Sequence, residues 1–144
     1  MSSSPRAAAL AATFSRFVSF KVARAAAALE TLKETKRLNV AANAAARGEE
    51  LIAGLRRLQD KHELIGDVRG KGLMCALELV SNREKKSAAS KDVMQKVQDV
   101  AYEAGALVRT SGANVIMSPP LIVTAGDVQT ILTALDAGLA AAGV

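Results

Sequence analysis

A few side chains in this 144-residue sequence could do chemistry, and their spacing decides which chemistry is open to each. In G-D-V-R-G-K-G-L, residues 66–73, three glycines surround Arg69 and Lys71, as in a phosphate-binding loop. The nucleotide pattern G-x-x-x-x-G-K-[ST] fails because Gly72 follows Lys71, and the dinucleotide pattern G-x-G-x-x-G fails as well. The alternative is a set of glycines that permit a sharp turn between strands. Lys71 as a Schiff-base lysine would need a desolvated pocket, and it stands between glycines beside Asp67 and Arg69. His62, at a helix end before Glu63, reads as a surface histidine, and Cys75, alternating with leucines, reads as a core residue. With one histidine and one cysteine, neither a hydrolase triad nor a protein-only zinc site can be assembled.

Arg109 is the remaining candidate. It stands in G-A-L-V-R-T-S-G-A-N-V-I-M-S-P-P-L-I-V-T, residues 105–124, where two short apolar runs flank a turn. On strand periodicity Leu107 points the same way as Arg109, and Leu107 reads as a core position. Two accounts are open: a charge that snorkels or pairs at a strand end, and a guanidinium fork presented to a planar carboxylate.

These residues must be positioned by the elements around them. An Ala-rich helix is expected from Lys21 to about Thr35, with Val22, Ala26, Leu29 and Leu32 at helical spacing. Asn39 is the expected cap of a second helix bearing Leu51, Ile52, Leu55 and Leu58 and ending near Lys61. The period then changes to alternation, with Leu73, Cys75, Leu77 and Leu79 on one side, and Gly66, Gly70 and Gly72 break the region into two tightly joined extended pieces. Residues 81–90 read as an exposed polar loop. Ser90 should cap a third helix with the apolar face Val93, Val97, Val100 and Ala101, closed by Gly105. Ala106–Arg109 and Asn114–Ser118 read as strands joined at Ser111-Gly112, and Pro119-Pro120 stops the sheet. Thr124 and Asp127 form a capping box ahead of a last helix displaying Val128, Ile131, Leu132, Leu135 and Leu139. The expected class is α+β, helices packed on a small, mainly antiparallel sheet.

Composition narrows the function classes. The chain is long enough for one packed core and half hydrophobic, without an apolar run of membrane-spanning length. Its net charge of +5 is spread among acidic residues, and its aromatics are three phenylalanines and one tyrosine. Tyr102 alone lies in the body of the chain, which speaks against nucleic-acid binding. The first 29 residues hold Arg6, Arg16, Lys21 and Arg24 with no acidic residue, and Phe14, Phe17 and Phe20 recur every third position. That composition fits an organelle-targeting presequence, and equally a start placed within a longer gene. The expected location is cytoplasmic, with a mitochondrial one as the alternative.

Taken together, G-L-R-R-L-Q-D-K-H-E-L-I-G-D-V-R-G-K-G-L-M-C-A-L-E-L-V, the segment 105–124 and the closing helix resemble the C-terminal region of class III aminotransferases. These are pyridoxal-phosphate-dependent enzymes of fold type I, and the likeness is to the ω-amino acid:pyruvate type over roughly residues 23–142. The resemblance implies a small C-terminal domain over residues 23–144 preceded by a poorly ordered or remnant segment, 1–22. It also implies a homodimer and transfer of an amino group between an amine or ω-amino acid and an oxo acid such as pyruvate. By the same resemblance, Arg109 matches the arginine that binds the substrate carboxylate and swings aside for uncharged amines. Thr13-Phe14-Ser15 match the start of T-[FY]-S-G-H-P, whose threonine reaches the cofactor phosphate of the other subunit. Arg16-Phe17-Val18 depart from the rest of that motif.

The family's Schiff-base lysine, pyridine-nitrogen aspartate and phosphate cradle belong to a large N-terminal domain whose motifs have no match here. Because the chemistry of transamination belongs to the cofactor, the expectation is a fragment that is inactive alone and does not hold pyridoxal phosphate by itself. The alternative is a non-catalytic interaction module that binds itself or a complete aminotransferase through an exposed apolar face.

Overall fold

The computed structural model describes residues 22–143, and the chain divides into two units after Asn39. In the first unit, residues 22–37 form helix α1. Its surface is laced by i,i+3 ion pairs, Lys33–Glu30 and Arg37–Glu34, both 2.7 Å and solvent-exposed, so they add little to stability. Asn39 does not cap the next helix as an extended residue. It adopts φ +46°, and its N–H donates to the Lys36 carbonyl at 3.1 Å. A short polar side chain tolerates this left-handed conformation, so Asn39 terminates α1.

The second unit begins with α2, Val40–Lys61, which buries Leu51 and Leu55 completely. Gly48 in α2 is packed against the backbone of Gly72, where a Cβ would stand 2.4 Å from the carbonyl carbon. That absent methyl lets the helix close on the hairpin formed by β1, Ile65–Lys71, and β2, Met74–Asn82. Gly72 at the hairpin tip has φ +55°, so the glycines of residues 66–73 shape a turn.

The end of α2 is held by side chains from distant parts of the chain. Arg83 donates through Nη2 to the carbonyls of Gln59 (2.5 Å) and His62 (2.9 Å), and through Nε to that of Ile65 (3.0 Å). The segment 81–90 therefore carries a structural brace, and within it β3, Ser87–Ala88, pairs with β2. His62 is not a free surface histidine: its side chain is largely buried, and Nε2 lies 2.6 Å from Asp136 Oδ1. Lys61 reaches the other oxygen of Asp136, also at 2.6 Å.

Helix α3, Lys91–Glu103, starts at Ser90, whose Oγ accepts from the Val93 N–H at 3.3 Å. Its buried residues are Met94, Val97 and Ala101, whereas Val93 and Val100 are only half-buried. The face at i, i+3 and i+7 from Met94 meets the core, one position round from the expected stripe. At its C-terminus Gly105 takes φ +95°. Gly105 N–H donates to the Tyr102 carbonyl and Ala106 N–H to that of Ala101, a Schellman closure. Helix α4, Ala125–Ala142, opens with the Thr124–Asp127 capping box, both reciprocal bonds present. It buries Val128, Leu132, Leu135 and Leu139, and Gly138 lets it approach the Val97 carbonyl of α3.

Strands β4, Arg109–Ser111, and β5, Asn114–Met117, complete an antiparallel sheet of order β1-β2-β5-β4. Cys75, Leu77, Val115 and Met117 point inward to the helices. The fold is α+β, with the core between one sheet face and α2, α3 and α4. The opposite face carries no helix of this unit, and it presents Met74, Glu78, Ile116 and the side chains of Arg69 and Arg109.

Candidate functional site

Arg109 opens β4, the edge strand of the sheet, which has β5 as its one neighbour. Pairing puts Arg69 opposite Ala76, Ala76 opposite Ile116 and Ile116 opposite Arg109, one row across the helix-free face. The two arginines at the ends of that row differ sharply. Arg69 is held by Asp67 (2.9 Å), Glu78 (3.0 Å) and Asn114 (2.5 Å), and hydrogen bonding first to Asp67 and then to Glu78 raises its guanidinium pKa further. The side chain of Arg109 has no hydrogen bond or ion pair with any described residue.

Leu107 and Arg109 do share a side, but it is the outer one. Leu107 is 80% exposed, while Ala106 and Val108 turn in to the core at 4% and 3%. Three consecutive apolar residues leave the parity open, and the two smaller ones fill the space beneath the helices. Arg109 thus faces away from the core of its own chain, which disposes of a charge aimed inward.

Beside Arg109 runs a groove of about 490 Å³, walled by Leu107, Val108, Ile116 and Ser118, with Gln98 of α3 at its rim. A second groove of about 780 Å³ continues past Pro119 and Pro120 to Ile122, Thr124 and Asp127. The segment between the two prolines and α4 is fixed by Asn43 of α2, whose Nδ2 donates to the carbonyls of Leu121 (2.8 Å) and Val123 (3.0 Å). Hydrogen bonding to Thr124, through its backbone N–H and then its hydroxyl, lowers the Asp127 pKa and keeps that cap anionic. The guanidinium of Arg109 thus stands in the first groove without a partner among the described residues, while the second groove carries Thr124, Asp127 and Thr130.

The other sequence candidates lie elsewhere. Lys71 sits exposed at the hairpin tip, paired in register with Met74. Cys75 is buried, its Sγ 3.4 Å from the Gly72 carbonyl, and burial pushes its thiol pKa up, as for a core residue. His62 belongs to the α2–α4 contact through Asp136. Thr13, the phenylalanine series and segment 1–22 up to Lys21 lie outside the described residues. Sequence reasoning passed over Asn43, Arg83 and Gln98. An asparagine, an arginine in a polar loop and a glutamine on a helix carry no local signal of a long-range bond.

The sequence matches the family Aminotransferase class-III over residues 17–139. The chain belongs to the class-III aminotransferases. Over 121 residues it is 36% identical to a taurine–pyruvate aminotransferase of Rhodobacter capsulatus, covering 79% of this chain and 26% of that protein. It is 38% identical over 113 residues to the mitochondrial alanine–glyoxylate aminotransferase 2 homolog 2 of Arabidopsis thaliana, covering 76% and 24%. The crystal structure of an amine transaminase from an uncultivated Pseudomonas species superposes with a TM-score of 0.77 at 35% identity, covering 80% of this chain and 26% of that one. This class-III aminotransferase chain thus spans about a quarter of the length of the relatives it matches.

Class-III aminotransferases depend on pyridoxal phosphate. The described residues do not fit that group by themselves. Every described lysine is exposed, and no polar or charged residue is buried, whereas a cofactor-bearing lysine needs a desolvated pocket. What the described residues do offer is the Arg109 groove. None of the described helices is long and apolar enough to cross a membrane.

Proposed function

We propose that this chain supplies the small C-terminal part of a class III aminotransferase, and that Arg109 receives the acid group of its substrate. The enzyme so completed transfers an amino group between an amine, ω-amino acid or ω-amino sulfonate and an oxo acid such as pyruvate. The observation that carries this reading is the Arg109 side chain on the helix-free face, without a partner among the described residues, next to a groove lined by Leu107, Val108 and Ile116. The taurine–pyruvate relative, whose substrates both bear an acid group, supports it.

Arg109 acts by binding and orientation. Its planar fork donates two parallel N–H bonds to a carboxylate, fixing the substrate's rotation as well as its position. Leu107 and Ile116 line the groove beside it, and an apolar lining closed off from water strengthens such a charge-assisted pair. Because the guanidinium has no partner among the described residues, it is also free to leave the groove when an uncharged amine binds. The missing machinery would come from the other three-quarters of such an enzyme, assembled as a homodimer. Thr13, as a contact to the cofactor phosphate of the other subunit, remains part of this reading.

The purified chain mixed with pyridoxal phosphate should leave the cofactor's absorbance unchanged and produce no alanine from taurine and pyruvate. Co-expression with the N-terminal three-quarters of the R. capsulatus relative should restore alanine production. Turnover by the chain alone would refute the fragment reading.

A second reading, a non-catalytic module that binds itself or a complete aminotransferase, is favoured by one observation. Met74, Leu107 and Ile122 stand exposed on this unit, and clustered apolar exposure promotes association. A monodisperse monomer on size exclusion, unchanged by a full-length partner, would count against it.

A further inference from the structure

The two arginines of the helix-free face share a row, and the acceptors open to them lie in the next one. Asp67 is paired with Glu78, Glu78 with Asn114 and Asn114 with Ser111, so this second row crosses the same face. Arg69 takes all its partners from it. Its Nη1 donates to Asp67 at 2.9 Å and to Glu78 at 3.0 Å, and its Nη2 to Asn114 Oδ1 at 2.5 Å. The last bond carries the guanidinium from β1 past β2 to β5. With its oxygen held there, the Asn114 amide turns Nδ2 to the Ser111 carbonyl at 3.2 Å, on the strand of Arg109. An amide nitrogen only donates, so this side chain presents no acceptor toward β4.

Arg109 stands within reach of the same acceptors. It faces Ile116, two residues along β5 from Asn114, and such diagonal neighbours are about 7–8 Å apart, a span that long side chains bridge. Glu78 lies on β2, one strand further. The step from Arg109 to Glu78 crosses β5 and one row, the counterpart of the step across β2 that Arg69 makes to Asn114. In the structure Arg109 instead lines the groove with Leu107 and Ser118. We propose that Arg69 is a positioning residue for Arg109: by occupying Asp67, Glu78 and the Asn114 oxygen, it keeps these acceptors from the second guanidinium and leaves that one open to an acid group. This inference rests on the reading of Arg109 as the acid-group clamp. A carboxylate of the chain that captured Arg109 would compete with the ligand, and the apparent dissociation constant rises as the fraction of open clamp falls.

The test uses the chain as it is, with propionate titrated at constant ionic strength and the Arg109 Nε–H signal followed by nitrogen-15 NMR. Arg69→Gln frees Glu78 and Asn114, and capture of Arg109 in an exposed ion pair of ordinary strength raises the dissociation constant about two- to sixfold. The ligand-free Arg109 signal should itself shift in this variant. Glu78→Gln added to Arg69→Gln should return both the signal and the affinity to wild type, whereas Glu78→Gln alone should change neither. That non-additivity separates capture from a mere change of local charge. If Arg69→Gln perturbs the amide spectrum globally, Arg69→Lys replaces it, because one ammonium does not hold three acceptors as the planar fork does. It should weaken propionate in the same direction and be reversed by Glu78→Gln. Equal effects of Glu78→Gln in both backgrounds, or undiminished binding by the folded Arg69 variant, overturn the role of Arg69 alone. Retention of propionate by Arg109→Ala, or no binding by the wild-type chain, overturns the clamp reading itself.

Discussion

Removing the Arg83 guanidinium should loosen the end of α2 more than any other single surface change. Three carbonyls, those of Gln59, His62 and Ile65, accept from this one side chain at 2.5–3.0 Å. A hydrogen bond from a charged donor contributes about 1.5–3 kcal/mol net, and partial solvent access at this helix end brings each nearer ~1 kcal/mol. The loss from Arg83→Ala is therefore about 2–3 kcal/mol. For a chain of this size that lowers Tm by roughly 7–10 °C. The nearby Glu63 contributes little, since it is 3.6 Å away and 90% exposed. Urea unfolding followed by circular dichroism measures the change, with Glu63→Ala as the control that removes only the ion pair. The denaturant slope should stay constant, because the native surface is little altered. A loss under about 0.5 kcal/mol for Arg83→Ala, or an equal loss for Glu63→Ala, would refute the brace.

Two further outcomes follow from packing and charge. Hydrogen bonding to Lys61, then to His62, holds the Asp136 carboxyl below the usual carboxylate range. A depressed folded pKa contributes stability that is present above the unfolded value and lost as pH falls through the folded one. Asp136→Asn should thus be less stable than wild type at pH 7, with the gap closing below about pH 4, as chemical unfolding at a series of pH values would read; a gap constant down to pH 2 would exclude the linkage. Gly138→Ala would place a Cβ 2.7 Å from the Val97 carbonyl oxygen, so thermal unfolding should show a loss of about 1–3 kcal/mol from forced separation of α3 and α4.

The parts of the fold that are local in sequence were readable from it. Ser90, Gly105 and the Thr124–Asp127 pair punctuate the helices as their side-chain chemistry requires. The alternation of Leu73, Cys75, Leu77 and Leu79 matches the buried positions of the hairpin. The misreadings share a cause. Ala106-Leu107-Val108 is apolar throughout, so period two has no phase until α3 and α4 select the two smaller residues. Val93 and Met94 are both apolar neighbours, and only the packing of α3 against the core decides that Met94 goes in. His62 finds Asp136 74 residues away, and Arg83 finds Gln59 24 residues back. Pairings of that span leave no periodic trace. Arg109 was singled out by its motif, and the structure adds that its side chain has no partner among the described residues.

The central claim is that Arg109 receives an acid group, and the most direct measurement compares two donors that differ only in having one. In the complex of this chain with the N-terminal three-quarters of the R. capsulatus relative, β-alanine and propylamine would be offered with an uncharged aldehyde acceptor. Loss of a bidentate charge-assisted pair should lower kcat/KM of Arg109→Ala for β-alanine by roughly 30- to 150-fold. The value for propylamine should stay within about threefold of wild type. Equal losses for both donors, or none for β-alanine, would contradict the assignment.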